Sequence, residues 1–542
     1  MKFRNQTKAL FAAAMACTAV TACGGGDDTP VVAAPAPVIQ PLACTTQAVG
    51  TVSLSAATID SATAVPAGSY TPIGSNTALT NLPASCVVAA TATPTGDSII
   101  HFQVWVPVGA AWNGKIVVTG NGGYSPALSY SDMAYAMRQG YAVVGGDTGH
   151  QSTNPNDMLF GVNHPEKIID WGTRSIHAIT APAKAIVAGL QAKGATKSYY
   201  YGCSTGGHQG YAEVQQYPDD FDGVIAGDPG NNRTALNAEF MWRFLSNHAP
   251  NDNTTPILTN AKATLVTNSA IAACDALDGV TDGVIGDPRA CTTAKFNVDS
   301  LLCPGADAAT CLTAPQLASV KKIYQGPVNP GTGTNIYPAL VVGSESGWSA
   351  YWGTTEPTRT DFWRYWVFDN PDWNWWTFDF NRDYAYSLAK VSSYVDQNNP
   401  NISAFKARGG KLMTYQGWAD PVVNPYDTIA YYNKVLAAQG SQAETDKFFR
   451  LYMVPGMGHC SGGPGPANFG NQGGQSPIVD ASHDILSALD AWVMLGTVPD
   501  SIIASKVTAG ATVRTRPICS FPKKETYKGS GSTDDAANFT CS

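Results

Sequence analysis

The sequence predicts an α/β fold, a largely parallel sheet with helices on both faces, interrupted by one large insertion. Three observations carry this. Short apolar runs alternate with helical periodicity over residues 101–217 and again over 411–495. The pentapeptide Gly202-Cys203-Ser204-Thr205-Gly206 stands between a strand pattern and a helix pattern. Between about residues 234 and 400 the alternation stops and tryptophans crowd the chain.

The elements follow in order. Lys2, Arg4 and Lys8 precede an apolar stretch over 9–20, too short for a membrane span and of the right length for an export signal. We assign residues 1–22 to that signal. It ends Val20-Thr21-Ala22-Cys23, similar to a bacterial lipoprotein box, which would leave Cys23 as a lipidated N-terminus. Ordinary signal cleavage with Cys23 idle is the alternative. Residues 23–43, rich in Gly, Asp, Ala, Val and Pro, read as a flexible tether.

The first part of the core spans 44–233. It holds strand patterns over 101–107, 115–119, 141–145 and 199–202, with helix patterns over 171–193 and 207–217. An inserted lid domain follows over 234–404. Its aromatic cluster comprises Trp348, Tyr351, Trp352, Trp363, Tyr365, Trp366, Trp373, Trp375 and Trp376, mostly expected as core. The second part of the core, 405–542, returns to strands over 411–418 and 448–454 and helices over 425–438 and 483–495.

Composition bounds the function. With 44% hydrophobic and 14% charged residues among 542, the chain can bury sizeable cores and is not disordered. A net charge of −8 without any long Lys/Arg run argues against a nucleic-acid partner.

The Gly-x-Ser-x-Gly turn, strand before and helix after, marks Ser204 as a nucleophile. A serine hydroxyl needs a base, and the base an orienting carboxylate. Of eight histidines, His459 lies in a Gly-rich loop just after a strand pattern; His208, four residues from Ser204 on the outgoing helix, is poorly placed. Asp420 follows the 411–418 strand, where α/β sites collect functional groups, and Asp427 is its competitor. Ser204, Asp420 and His459 reproduce the chain order of α/β-hydrolases. The oxyanion donors expected are the amides of Thr205 and of Gly122 or Gly123.

Twelve cysteines fit an oxidising compartment; with Cys17 and Cys23 in the signal region, an even number remains. Proximity points to Cys44–Cys86, Cys274–Cys291, Cys303–Cys311 and Cys519–Cys541, although sequence alone does not fix such a connectivity. Cys203 and Cys460 are left over. A Ser204–His459 hydrogen bond of roughly 3 Å would bring their backbones to about the separation a disulfide needs. One or both being buried free thiols is the alternative.

Asp275, Asp278 and Asp282 form an acidic, Gly-hinged loop bracketed by Cys274 and Cys291. With the carbonyls of Val280 and Val284 they offer the hard oxygen ligands of a structural Ca²⁺; the spacing is not that of an EF-hand, and an acidic surface loop is the alternative.

Together these segments resemble the tannase and feruloyl esterase family of secreted α/β-hydrolases. The resemblance rests on Gly202-Cys203-Ser204-x-Gly206-Gly207, Gly417-Trp418-x-Asp420-Pro421, Gly456-Met457-Gly458-His459-Cys460 and the acidic loop, and runs from about Cys44 to Cys541. It implies an α/β-hydrolase core with a lid carrying a structural Ca²⁺, a Cys203–Cys460 bridge, and an exported serine esterase, periplasmic, anchored to the outer membrane or secreted. Its substrates would be feruloyl-type or galloyl-type esters. The alternatives are mono(2-hydroxyethyl) terephthalate, another ester or peptide class on the same triad, or a non-catalytic lipid-anchored binding protein. For a terephthalate, Arg359, Arg364 and Arg382 are candidate carboxylate grips, whereas the aliphatic Val423 weakens that reading.

Overall fold

Sequence periodicity of two becomes a nine-stranded sheet in the computed structural model, which describes residues 40–152, 154 and 156–542. The expected signal, Cys23 and nearly all of the tether lie outside the described residues. In chain order the strands are β1 (Ala57–Val65), β2 (Ser85–Ala92), β3 (Ile100–Pro107), β4 (Lys115–Thr119), β5 (Ala142–Gly146), β6 (Lys197–Cys203), β7 (Gly223–Gly227), β8 (Lys411–Gly417) and β9 (Phe449–Val454). Across the sheet they lie β1-β2-β3-β5-β4-β6-β7-β8-β9. The first three strands and the β3/β5 pair are antiparallel; from β5 through β9 every pair is parallel.

Alternation along each strand builds two cores. On β4, Ile116 and Val118 enter one apolar cluster while Val117 enters the other. On β6, Tyr200 faces the first and Tyr199 and Tyr201 the second. Helices α1 (Tyr130–Arg138), α2 (Ser175–Gln191), α3 (Thr205–Gln216), α5 (Pro425–Gln439) and α6 (Ile485–Leu495) supply the covering layers, while α4 (Arg233–Asn247) packs in the apolar clusters of the excursion. Ile179, Ile186, Tyr211 and Tyr432 from α2, α3 and α5 close one face; Met133, Leu486 and Trp492 from α1 and α6 close the other. Each such fully buried aliphatic or aromatic side chain contributes about 1.5–3 kcal/mol of burial.

The chain leaves the sheet after Gly227 and returns at Lys411. Between them it forms its own apolar cluster around Leu258, Val266, Leu312, Val320, Trp348 and Trp352. A second cluster joins Trp363, Trp366 and Val367 to Tyr124 and Trp171 of the sheet half. Trp348, Trp352, Trp363 and Trp366 are therefore core residues; Trp373, Trp375 and Trp376 are half-buried. Residues 41–542 make one compact unit.

Among the differences from expectation, two concern segments already assigned. The helix over 171–193 starts later, at Ser175, because Asp170–Arg174 widen into a π-type turn. Leu42, in the stretch read as tether, donates its N–H to the Gly189 carbonyl at 3.0 Å. Among the described residues five disulfides are present: Cys44–Cys86, Cys203–Cys460, Cys274–Cys291, Cys303–Cys311 and Cys519–Cys541. Among the described residues no helix is long and apolar enough to cross a membrane.

Candidate active site

The sheet order reverses between β4 and β6: from β4 the chain moves outward to β5, and from β6 it moves the other way to β7. Loops at the carboxyl ends of these two strands diverge and leave a crevice. The Gly120–Gly123 turn follows β4 and Ser204 follows β6, so the fold puts both at that crevice.

Ser204 occupies a strained turn with φ 63° and ψ −116°. The turn is sharp enough that a Cβ on Gly202 would come within 2.8 Å of the Gly206 Cα, which is why glycine is required there. Ser204 donates its N–H to the Gly227 carbonyl at 2.9 Å, tying the turn to β7. Its Oγ lies 2.8 Å from His459 Nε2, and His459 Nδ1 lies 2.8 Å from Asp420 Oδ2. Ser204 and His459 are partly exposed, while Asp420 is fully buried.

Asp420 is firmly oriented. Its Oδ1 accepts the N–H groups of Val422 and Val423 at 2.7 and 3.1 Å, and Oδ2 accepts the Gln416 side-chain amide at 3.2 Å. Val423 thus serves the acid through its backbone. The competing residues go elsewhere. Asp427 accepts from Asn232 at 3.2 Å, and burial raises its pKa to about 6. His208 Nε2 donates to the Gly172 carbonyl at 2.6 Å, and burial pushes its pKa down to about 3.

Thr205 is the first residue of α3, so its N–H lacks an intrahelical acceptor. Its hydroxyl donates to the Gly123 carbonyl at 2.7 Å, and Trp171 Nε1 approaches the same oxygen at 3.3 Å. These bonds lock the Gly122-Gly123 loop against the turn that carries Ser204. Gly123 itself has φ 56°, a conformation that favours glycine.

Two arginines stand behind this loop. Arg233 is fully buried, donates from Nη2 to Thr205 Oγ1 at 3.2 Å and lies over the Trp171 ring. Arg359 lies over Tyr124 and Phe240. Neither forms an ion pair among the described residues, and each leaves a buried Nε without a partner. Burial, with the Arg359 charge among lesser influences, lowers the Arg233 pKa to about 10. By contrast Arg364 pairs with Glu356 and Asp361, and Arg382 with Asp383.

Sequence reading missed Asp228, directly after β7. It is fully buried, and its oxygens lie within 4.8 Å of ligand atoms of both Asp420 and His459. The usable signal was an acid at a strand's carboxyl edge in Gly227-Asp228-Pro229, the same rule that selected Asp420.

In the acidic loop, Asp275 accepts from the Asp282 and Gly283 amides at 3.1 and 2.9 Å, and Asp278 from Val280 at 2.9 Å. Asp282 Oδ2 is ion-paired with Arg516 at 2.6 Å and Arg514 at 3.1 Å. Asp278, Asp282, Val280, Val284, Arg516 and Glu525 line a cavity of about 20 Å³, enough for one ion or water. Burial, backed by repulsion from Asp282 and Asp275, raises the Asp278 pKa. Oxygen donors of this kind fit a hard cation; the carboxylates of Asp275, Asp278 and Asp282 do not converge within 4.8 Å of one another.

Sheet order, strained serine turn and converging acid–base groups define an α/β-hydrolase. Comparison with known proteins makes this specific: the tannase and feruloyl esterase family model matches residues 86–542, and the chain belongs to that family. An uncharacterized esterase of Xanthomonas campestris pv. campestris is 37% identical over 525 residues, covering 90% of this chain and 89% of its own. A probable feruloyl esterase B-2 of Aspergillus terreus is 34% identical over 493 residues, covering 87% and 91%. The crystal structure of feruloyl esterase B from Aspergillus oryzae superposes with TM-score 0.83 at 31% identity, over 91% of this chain and 98% of that one. The protein is a carboxylic ester hydrolase.

Proposed function

We propose that this chain is a serine esterase that cleaves aromatic acyl esters of feruloyl or galloyl type through an acyl-enzyme. The observation that carries this reading is the continuous hydrogen-bonded line Ser204–His459–Asp420 at the sheet's crevice. Ser204 Oγ attacks the ester carbonyl carbon as His459 Nε2 takes the hydroxyl proton, and the carbonyl oxygen becomes an oxyanion. Thr205 and Gly122 or Gly123 donate their N–H groups to it. When the oxyanion collapses, the ester C–O bond breaks and His459 returns the proton to the departing alcohol. Water then attacks acyl-Ser204 by the same route, giving the free aromatic acid and restoring the serine. Asp420 holds the imidazole tautomer and offsets the charge it acquires.

The substrate class is supported by relatives named feruloyl esterases. Residues 234–404 act as the lid that shapes the acyl pocket, and the loop of Asp275, Asp278, Val280, Asp282 and Val284 holds a structural Ca²⁺ within it. The chain works after export, tethered through Cys23 or free, and the disulfides suit an oxidising compartment. Labelling with an organophosphonate tests the core of this reading: Ser204 should be the modified residue, and S204A should be both unlabelled and inactive. An unmodified Ser204 overturns it.

A second reading is favoured by Arg359. An ester whose aromatic acid carries a free carboxylate, such as mono(2-hydroxyethyl) terephthalate, would find a cation without an ion-pair partner among the described residues. Turnover of methyl ferulate, methyl gallate and that monoester by one preparation decides between the two.

A further inference from the structure

We propose that Asp228 is a positioning residue of the esterase centre: a buried carboxyl group that fixes the Asp420 and His459 backbones to each other and stays protonated as the neutral partner of Asp420. Three connections carry the positioning role. Asp228 Oδ1 accepts the Gly417 N–H at 2.7 Å, three residues before Asp420. Its Oδ2 accepts the Cys460 N–H at 2.8 Å, one residue after His459. Its own N–H goes to the Tyr415 carbonyl at 2.8 Å, and the preceding residue, Gly227, accepts the Ser204 N–H. Residues 227–228 thus hold all three triad-bearing segments. The backbone is bent for the purpose: Asp228 has φ 35° and Cys460 φ 64°, both in the region that non-glycine residues avoid.

The neutral state follows from what surrounds the carboxyl. Asp228 and Asp420 are both fully buried with their oxygens within 4.8 Å, and two carboxylates at that range do not both ionise readily. The titratable groups facing Asp228 are Asp420 and His459 from their loops and Tyr415 from β8; Asp132 sits one link further away, through Gln472. None of the described lysines or arginines pairs with either carboxyl. Asp420 has His459 as partner, so the proton belongs on Asp228. Burial first, and the Asp420 charge second, raise the Asp228 pKa well above the carboxylate range. A protonated Asp228 donates to Asp420 and moderates its pull on the imidazole.

The inference rests on the proposed triad, so S204A is measured alongside: activity surviving in S204A defeats the triad, not the role of Asp228. The decisive experiment compares D228A and D228N by kcat, KM and the pH profile of kcat/KM on methyl ferulate. D228A should lose about 100-fold in kcat with KM within about threefold, as misplacement of a catalytic group does. Its acidic limb should move to higher pH, since Asp420 loses a donor. D228N keeps a donor toward Asp420 and loses one amide acceptor, so kcat should fall less and the acidic limb stay put. A limb moving to lower pH by about half a unit or more in D228N would mean that Asp228 was ionised, and overturns the neutral role. A kcat in D228A within about threefold of the parent overturns the positioning role. Should D228A fail to fold, D228N decides both points: its limb reports the charge, and a kcat equal to the parent's would show that the lost amide acceptor positions nothing.

Discussion

Cys203 and Cys460 stand 257 residues apart in sequence and 5.9 Å apart at their Cα atoms. Each adjoins a member of the proposed triad, so the covalent bond between them limits how far Ser204 and His459 can separate. Removing it frees a long loop in the unfolded chain, and a C203A/C460A variant should lose about 3 kcal/mol of stability. Its kcat should fall more than its affinity. Chemical denaturation and steady-state kinetics under non-reducing conditions check this; an unchanged kcat would show that hydrogen bonds alone hold the pair.

Arg359 offers a test of substrate charge. Charge-assisted hydrogen bonds are worth about 1.5–3 kcal/mol, so R359A should raise KM for a carboxylate-bearing aromatic ester about 10- to 100-fold. For methyl ferulate, which has no carboxylate, the change should stay within about threefold. Equal effects on both substrates would assign Arg359 to packing against Tyr124 and Phe240.

His208 makes a prediction about acid stability. Its folded-state pKa is about 3, below the ordinary histidine value, because it is buried. The unfolded chain therefore binds one more proton between about pH 3 and 6.5, and stability rises with pH across that window. The contribution is full above the window and lost as pH falls through it. H208Q should reduce the slope of unfolding free energy against pH by about 1.4 kcal/mol per unit between pH 4 and 6. An unaltered slope would place the proton elsewhere.

Calcium is tested by melting. If the acidic loop binds Ca²⁺ in the folded state alone, chelation should lower Tm by several degrees, and D278A should abolish that difference. Identical melting of the parent with and without chelator would assign the loop to its Arg514 and Arg516 ion pairs.

Legibility followed local chemistry. β4 was read at its observed bounds because an apolar run enters a Gly-rich turn, and β8 differs from its reading by one residue. β7 was missed: Gly-Val-Ile-Ala-Gly is five residues long with glycine at each end, and no periodicity shows in so short a run. β1 was missed because Ala, Ser and Thr fill most of it and only Ile59 and Val65 are large and apolar. Ser204, His459 and Asp420 were visible because each sits in a glycine-marked turn after a strand. Asp228 was hidden by β7 itself, since without that strand its position at the sheet edge had no meaning. Arg359 was one of three candidate arginines with nothing in the sequence to choose among them, and Arg233 was beyond reach, because its contacts to Thr205 and Trp171 come from segments joined only by tertiary packing.

The excursion between Gly227 and Lys411 also sets an order of assembly. A chain synthesised from its N-terminus presents Ser204 early and completes Asp420 and His459 only after the whole excursion has emerged. Until then Ser204 lacks its proposed base and Cys203 its disulfide partner. On the proposed triad, truncated or stalled chains that end before residue 459 lack the base and should be chemically silent, with hydrolytic power expected only in a nearly finished molecule. The long detour works as a timer on when this protein becomes an enzyme.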